Sequence, residues 1–178
     1  PRFREQCAAC NEEMVREHFN HPSIFVWGIL NECDSGSEEG AALYREQFAQ
    51  IRALDNSRPV TFASCCHEKD LCQGMVDIAG WNIYPGWYID SPVSEYLAKS
   101  IATHESEGMA GKPLIISEIG AAGLTGYYDP VRRAKWSEDR QADILDEQLG
   151  CVLNHPRVGG VFVWQYCDVR VDESWFYS

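Results

Sequence analysis

Two glutamates stand directly after apolar runs of strand length, where a charge is costly unless it is paired or used. Glu32 follows the run WGILN, and Glu118 follows LIIS. A single glutamate in such a place is typical of a salt bridge to a loop arginine. Two carboxylates that face each other across a cleft can cleave a glycosidic bond, because one protonates the leaving oxygen while the other attacks the sugar or activates water. Their separation decides between retention and inversion at the anomeric carbon, and the sequence leaves that separation open.

The elements that would position these glutamates alternate along the chain as short β-rich runs and amphipathic stretches. The patterns predict five strands, at Ser23–Leu30, Arg58–Ser64, Asp77–Tyr84, Pro113–Glu118 and Gly159–Gln165. They predict helices at Arg4–Phe19, Ser37–Leu54, Pro92–Glu107 and Trp136–Leu153, and a short helix around Glu68–Met75. Repeated strand–helix alternation indicates a parallel sheet built from right-handed βαβ units.

Two α/β architectures can hold such a sheet, an open doubly wound sheet or a (β/α)8 TIM barrel. No glycine-rich phosphate loop follows any predicted strand, so the dinucleotide fingerprint of the open fold is missing. Polar residues instead stand just past the predicted strand ends: Asn31, Glu32, Ser64, Asn82, Tyr84, Glu118, Gln165 and Asp168. Barrel enzymes carry their chemistry at this end of the strands, so the pattern favours a TIM barrel with both glutamates at one mouth.

Composition excludes several classes of protein. The 178 residues are 45% hydrophobic and 24% charged, which argues against wholesale disorder. No apolar run approaches the roughly 20 residues that a membrane span needs. The net charge is −12, from 15 Lys plus Arg against 27 Asp plus Glu, without a basic block. We therefore expect neither nucleic acid nor a membrane to be the main partner.

Eight cysteines invite a test for disulfides or zinc. Cys7 and Cys10 form a CxxC, but they fall in a helical run, and the cluster of Cys65, Cys66, His67 and Cys72 lacks the usual zinc spacing. We expect free, mostly buried thiols in a reducing compartment, hence a cytoplasmic protein with no bound metal.

Four segments resemble, in order, the barrel motifs of glycoside hydrolase family 2. The stretch NHPSIFVWGILNE (20–32) resembles the acid/base signature of that family, which includes β-galactosidases, β-glucuronidases and β-mannosidases. DIAGWNIYPGWY (77–88), PLIISEIG (113–120) and VWQYCD (163–168) resemble its later motifs, and β-glucuronidase-like members match best. The resemblance implies that residues 1–178 are the C-terminal part of the catalytic barrel, strands four to eight, in a domain that usually takes about 250 residues.

The resemblance also implies roles for individual residues. Glu32 would be the general acid/base and Glu118 the nucleophile of a retaining β-glycosidase that acts on a terminal β-glucuronide or β-galactoside and needs no cofactor. Asn31 would hydrogen-bond the sugar 2-hydroxyl, and Tyr84 would direct its hydroxyl at Glu118. Three aromatic residues would contact the carbohydrate, although core packing is the alternative for each: Trp87, Tyr88 and Trp164.

The remaining charged and titratable residues are harder to assign. Arg58 is expected to pair with a carboxylate inside the barrel, and the sequence leaves open whether it tunes Glu118 or only packs. His21 is expected at the strand entry, and His67 and His104 at the surface or in loops. In β-glucuronidase-like members an Asn-x-Lys element recognises the sugar carboxylate. Arg170 is the only cation after the last predicted strand, so the sugar stays open.

A second reading is a scaffold or carbohydrate-binding piece without catalysis. The chain starts at Pro1, which we take as the mark of an excised or processed segment. Five parallel strands leave two open edges, and unpaired edges promote self-association, so a homo-oligomer is one expectation.

Overall fold

The computed structural model describes residues 2–66 and 69–169, which form one parallel sheet flanked by helices. The strands lie in chain order and each neighbouring pair is parallel. They are β1 (Trp27–Asn31), β2 (Val60–Ser64), β3 (Ala79–Asn82), β4 (Leu114–Ile119) and β5 (Val158–Val163). This sheet confirms the predicted α/β fold, and its five parallel strands are consistent with part of a TIM barrel.

Four α-helices accompany these strands in the described residues, one before β1 and one after each of β1, β3 and β4. They are α1 (Arg2–His18), α2 (Glu38–Leu54), α3 (Val93–His104) and α4 (Glu138–Val152). Ser37 and Ser137 cap α2 and α4, because their side chains accept the N–H groups of Gly40 and Arg140. A 3₁₀ turn at Gln73–Met75 and a π turn at Glu105–Met109 complete the connections. Among the described helices, none is long and apolar enough to cross a bilayer.

The apolar core falls into two main groups on the helix-covered side of the sheet. Trp27 and Phe62 pack with residues of α1 and α2, while Trp81 and Ile116 pack with residues of α3 and α4. Every residue of β3 is buried, as expected for a central strand covered on both faces. Within β3, the amide side chain of Asn82 lies at the carboxyl end of the strand.

Two strands carry a register shift close to their carboxyl ends. From Gly28 to Asn31 β1 advances three residues, while its partner β2 advances two, from Thr61 to Ala63. Trp81 of β3 pairs with Ile116, yet the next residue, Asn82, pairs with Glu118. Ser117 is thus an extra residue in β4, a bulge of the kind that re-aims side chains next to functional sites.

The first strand starts later than the sequence pattern predicts, at Trp27 and not at Ser23. The guanidinium of Arg58 explains the difference, because it donates to the backbone oxygens of Ile24 and Phe19 at 2.8 and 2.7 Å. These carbonyls are satisfied by a side chain instead of a neighbouring strand. The predicted short helix shrinks to Gln73–Met75, because the carboxylate of Asp70 accepts the N–H groups of Cys72 and Gln73.

Two expectations about burial are wrong. His104 is 1% exposed and lies edge-on to Trp81, with ring centroids 5.2 Å apart, so it is a core residue. The eight cysteines are free, but only Cys72 is buried; Cys10, Cys33, Cys65 and Cys167 are exposed. Periodicity fails for these residues because most of them lie on helix flanks and loops, where it gives little information on burial. His67 lies outside the described residues.

Candidate active site

The two glutamates lie at the same edge of the sheet, which we call the carboxyl edge because the parallel strands end there. Glu32 directly follows β1, and Glu118 is the second-last residue of β4. The predicted residues Asn31, Tyr84 and Trp164 stand at or just beyond the ends of β1, β3 and β5. Strand direction alone thus gathers residues that are far apart in the chain.

Asn82, at the end of β3, connects the two glutamates. Its side-chain nitrogen donates to Oε1 of Glu32 at 2.8 Å and to Oδ1 of Asn31 at 3.1 Å. Its oxygen accepts the hydroxyl of Ser117 at 2.7 Å. The same side chain acts to lower the pKa of Glu118, its register partner on β4. Asn82 is only 4% exposed, so these contacts are made out of bulk water.

Glu118 is half-buried and accepts a 2.5 Å hydrogen bond from the hydroxyl of Tyr84. Burial raises the pKa of Glu118 above its ordinary value, and the nearby charge of Glu32 adds to that rise. The contacts with Tyr84 and Asn82 act in the opposite direction. Burial and the negative charge of Glu118 raise the pKa of Tyr84, which keeps the phenol protonated as a donor. The hydrogen bond from Tyr84 therefore orients the carboxylate of Glu118, but the neighbouring donors offset only part of the cost of burying its negative charge.

Glu32 occupies a strained backbone conformation. Its φ angle is 50°, in the left-handed region that L-residues other than Asn and Asp rarely adopt. Its N–H still continues the ladder to β2, donating to the carbonyl of Ala63 at 2.9 Å. Its side chain is exposed, and the charge of Glu32 helps, after burial and Cys66, to raise the pKa of the Cys65 thiol to about 11. Strain of this kind is common where function dictates the direction of a side chain.

A buried carboxylate fastens the loops that flank Glu32. Asp70 accepts the hydroxyls of Ser35 and Ser64 at 2.6 and 2.5 Å. Ser35 lies in the loop after β1 and Ser64 ends β2, so one side chain ties both segments together. The backbone around Glu32 is therefore anchored on two sides.

The aromatic residues after β3 form a wall beside Glu118. The ring of Tyr88 is 73% exposed and lies 5.2 Å from that of Tyr84. Trp87 is only 7% exposed; its ring packs edge-on to Trp136 at 4.9 Å, and the ammonium of Lys135 lies 4.4 Å from its centroid. Tyr88 can therefore offer a face to a ligand, whereas Trp87 mainly supports its neighbours.

Trp164, the predicted floor under the sugar, is 54% exposed directly after β5. Its N–H donates to the carbonyl of Ile119 at 2.8 Å, which fixes it beside the strand that carries Glu118. Gly120 makes this approach possible, since a Cβ there would lie 2.3 Å from the Trp164 carbonyl oxygen. The φ angle of Gly120, 156°, also suits glycine best.

Arg58 lies at the other end of the sheet, ahead of β2, and so does not touch Glu118. It pairs with Asp55 at 2.6 Å, and Trp27 donates to the same carboxylate oxygen at 2.9 Å. Of the two interpretations left open by the sequence, packing and pairing is the one observed. Among the described residues no cluster of His, Cys, Asp and Glu is arranged to hold a metal ion.

Sequence reasoning placed Asn82 among the polar residues at strand ends without giving it a role in the site, and it missed Ser117. Asn82 was recognisable as a polar residue at a strand end, in the motif NIYPGWY, but its bonding partners were not. Ser117 gave no signal, because strict alternation along β4 would direct it away from the face that holds Glu118.

The whole chain can be compared with known proteins. Residues 1–175 match the TIM barrel domain of glycosyl hydrolases family 2. The chain belongs to this family. It is 36% identical to the β-glucuronidase of Sus scrofa over 173 residues and 32% identical to that of Homo sapiens over 170, each match covering 92% of the chain. The chain spans 26% of the length of these relatives, about a quarter.

Solved structures agree with this assignment. A family 2 β-galacturonidase from Eisenbergiella tayi, bound to galacturonate, superposes with a TM-score of 0.96 at 46% identity, over 99% of this chain and 32% of that one. A β-glucuronidase from Ruminococcus gnavus in complex with D-glucuronic acid superposes with a TM-score of 0.85 at 25% identity, over 96% of this chain and 31% of that one.

Proposed function

We propose that the protein is a retaining β-glycosidase that releases a terminal hexuronic acid from β-glycosides, with Glu118 as nucleophile and Glu32 as general acid/base. The observation that carries this proposal is the placement of both carboxylates at the carboxyl ends of parallel strands, where Glu32 accepts the amide of Asn82 and Glu118 accepts the hydroxyl of Tyr84. Such a pair, on a family 2 barrel, has the parts that double displacement requires.

Membership of family 2 favours retention over inversion. Retaining enzymes hold their carboxyl groups roughly 5–5.5 Å apart, whereas inverting enzymes leave roughly 6.5–9.5 Å for a water molecule. The charge of Glu32 lies close enough to Glu118 to add to the rise of its pKa that burial causes, which supports a closely spaced pair and a covalent glycosyl-enzyme.

The reaction then follows from the positions of the side chains. Glu118 attacks the anomeric carbon as Glu32 gives its proton to the leaving oxygen, so one carbon–oxygen bond forms while another breaks. Water deprotonated by Glu32 next hydrolyses the ester, which restores both carboxyl groups. Tyr84 orients Glu118 through its hydroxyl. Asn31 donates its amide to the sugar 2-hydroxyl, a contact that strengthens at the transition state.

Uronides are the substrate class that the relatives support. The similar proteins are β-glucuronidases, and the E. tayi β-galacturonidase is bound to galacturonate. These two sugars are epimers at C4 and share a carboxylate, so a common acidic substrate explains both similarities. The galactoside interpretation from the sequence has no such support among these relatives. Free thiols fit the cytoplasmic location that we propose.

The test is hydrolysis by the full-length protein of p-nitrophenyl β-glucuronide, β-galacturonide and β-galactoside. We expect turnover of a uronide with the β-anomer as first product in proton NMR, and loss of turnover in Glu118→Gln. Glu13→Gln, the same change on exposed α1, is the matched control and should leave turnover intact. An α-anomer would overturn retention, and preference for the galactoside would overturn the substrate class. Binding without turnover would favour the carbohydrate-binding alternative.

A further inference from the structure

Hydrogen bonds use both N–H groups of the Asn82 amide. Its nitrogen donates to Oδ1 of Asn31 and to Oε1 of Glu32. The direction in which this amide points therefore matters. If it were reversed, its carbonyl oxygen would face the amide oxygen of Asn31 and the carboxylate of Glu32, and both interactions would become repulsive.

Ser117 bonds the opposite side of the same amide. Its hydroxyl donates to Oδ1 of Asn82 at 2.7 Å, which leaves the nitrogen directed at the catalytic pair. A hydrogen bond accepted by an amide oxygen also polarises the amide and strengthens what its N–H groups donate. Ser117 thus favours the orientation in which the Asn82 nitrogen faces Glu32, and it strengthens the hydrogen bonds that this nitrogen donates.

The bulge in β4 is what makes this contact possible. Neighbouring residues of a regular strand point to opposite faces, so Ser117 and Glu118 would not both reach Asn82. Because Ser117 is the extra residue between the pairs Trp81–Ile116 and Asn82–Glu118, both side chains approach the same amide. The bulge therefore brings the proposed nucleophile, Glu118, and the serine that orients Asn82 close to the same amide group.

We propose that Ser117 and Asn82 form one positioning unit, in which the bulged serine holds the Asn82 amide toward Glu32, Asn31 and Glu118. The inference rests on the proposed glycosidase function. Neither residue exchanges protons or bonds with substrate, so both act through the two glutamates. Among the described residues, the charge of Glu32 contributes, after burial, to the raised pKa of Cys65 after β2, of Tyr84 after β3 and of Glu118 on β4, so titratable groups from these strand ends lie near this unit.

The expected kinetic signature combines rate, pH dependence and coupling. Ser117→Ala should lower kcat on the preferred aryl uronide about tenfold, the rate equivalent of one hydrogen bond, with a KM changed less than about threefold. The acidic limb of kcat/KM should move to higher pH, because an unfixed amide no longer helps to lower the pKa of Glu118. Ser117→Thr keeps a hydroxyl and should restore both properties.

A double-mutant cycle separates one unit from two independent residues. Asn82→Ala should lower kcat about 100-fold, and the double variant Ser117→Ala/Asn82→Ala should be no worse, since the serine then has nothing to orient. The control Thr61→Val removes a hydroxyl of β2 that bonds the carbonyl of Ile78, and it should leave the pH profile unchanged.

The outcomes are distinct for the two proposals. Multiplying effects in the double variant, or a loss of kcat in Ser117→Ala with an unmoved acidic limb, would overturn the positioning unit while the glycosidase assignment stands. A wild-type protein without uronidase activity would overturn the proposed function itself. Should Ser117→Ala fail to fold, Asn82→Asp decides the question: it replaces the donor by an anion and should abolish turnover, and wild-type behaviour would overturn the proposal.

Discussion

A buried or half-buried carboxylate lies near each end of the parallel strands, and the two carboxylates have opposite electrostatic surroundings. Asp55 lies near the end where the strands begin, which we call the amino edge. It is 4% exposed and accepts hydrogen bonds from Trp27 at 2.9 Å, Arg58 at 2.6 Å and Ser57 at 2.6 Å. Burial alone would raise the pKa of Asp55, but these hydrogen bonds bring it well below the ordinary value. At the carboxyl edge, the pKa of Glu118 is raised instead.

The difference lies in the partners of each carboxylate. Asp55 has a guanidinium and enough donors to outweigh its desolvation, so its charge is compensated and fixes the entry of β1 and β2. Glu118 has neutral donors and a second carboxylate, Glu32, as its neighbours. The amino edge thus stabilises the fold, whereas the carboxyl edge keeps a charge that a reacting sugar can neutralise.

The largest effect should come from Glu32. Replacing it with alanine removes the proposed proton donor, so kcat/KM on a phenyl uronide should fall about 1,000-fold, within the range of general acid catalysis. A 2,4-dinitrophenyl uronide, whose leaving group needs no proton, should lose far less at the bond-breaking step. The thermal midpoint Tm should not fall, because the variant relieves repulsion with Glu118. Equal losses on both aglycones would contradict the role of Glu32.

Asp55 should show the opposite behaviour. Asp55→Ala leaves the half-buried guanidinium of Arg58 without its carboxylate, so we expect a loss of about 3 kcal/mol in the free energy of unfolding, measured by denaturant titration. The activity per folded molecule should stay unchanged. Glu12→Ala, which breaks the exposed pair with Arg16 on α1, is the control and should cost less than about 0.5 kcal/mol. A large loss of kcat in folded Asp55→Ala would erase the contrast between the two edges.

Tyr84→Phe tests how the hydroxyl of Tyr84 affects the pKa of Glu118. The hydroxyl of Tyr84 acts to lower the pKa of Glu118, so its removal should raise that pKa further. The acidic limb of the kcat/KM profile should therefore move up by about one pH unit, the size expected for one hydrogen bond to a carboxylate. Tyr44→Phe, in the core under β1, should leave the limb in place. A shift to lower pH in Tyr84→Phe would reverse the electrostatic argument.

The smallest effect concerns the pH dependence of stability. The pKa of Asp55 is lowered on folding, so its contribution is present above the unfolded pKa of about 4 and is lost as the pH falls through the folded value. The pKa of Glu118 is raised, so its contribution is present below the unfolded pKa of about 4.3 and is lost as the pH rises through the folded value.

Unfolding measured at a series of pH values therefore has a separate expectation for each carboxylate. Glu118→Gln should flatten the fall in stability above pH 4.3, and Asp55→Asn should flatten the loss below pH 4. If each variant flattened the other range, the assignment of the two shifts would be wrong.

The order of strands and the placement of both glutamates could be predicted because they depend on hydrophobic patterns and on strand direction. The edge-on burial of His104 against Trp81 could not, since it depends on a tertiary contact that leaves no local periodicity. The bulge at Ser117 escaped for a related reason, because a register shift exists only between two strands. Asn82 shows where prediction from the sequence ends. Its place at a strand end followed from the hydrophobic pattern, whereas its three hydrogen-bond partners could be identified only from the folded structure.

The left-handed backbone of Glu32 has an evolutionary consequence. Glycine or asparagine suits a φ angle of 50° better than glutamate does, so folding alone would select against a glutamate at this position. A lineage that no longer needed the reaction should lose the glutamate here sooner than at position 118, whose φ angle is not in that region. A glutamate that is retained at residue 32, despite this backbone conformation, would therefore indicate continuing selection for activity.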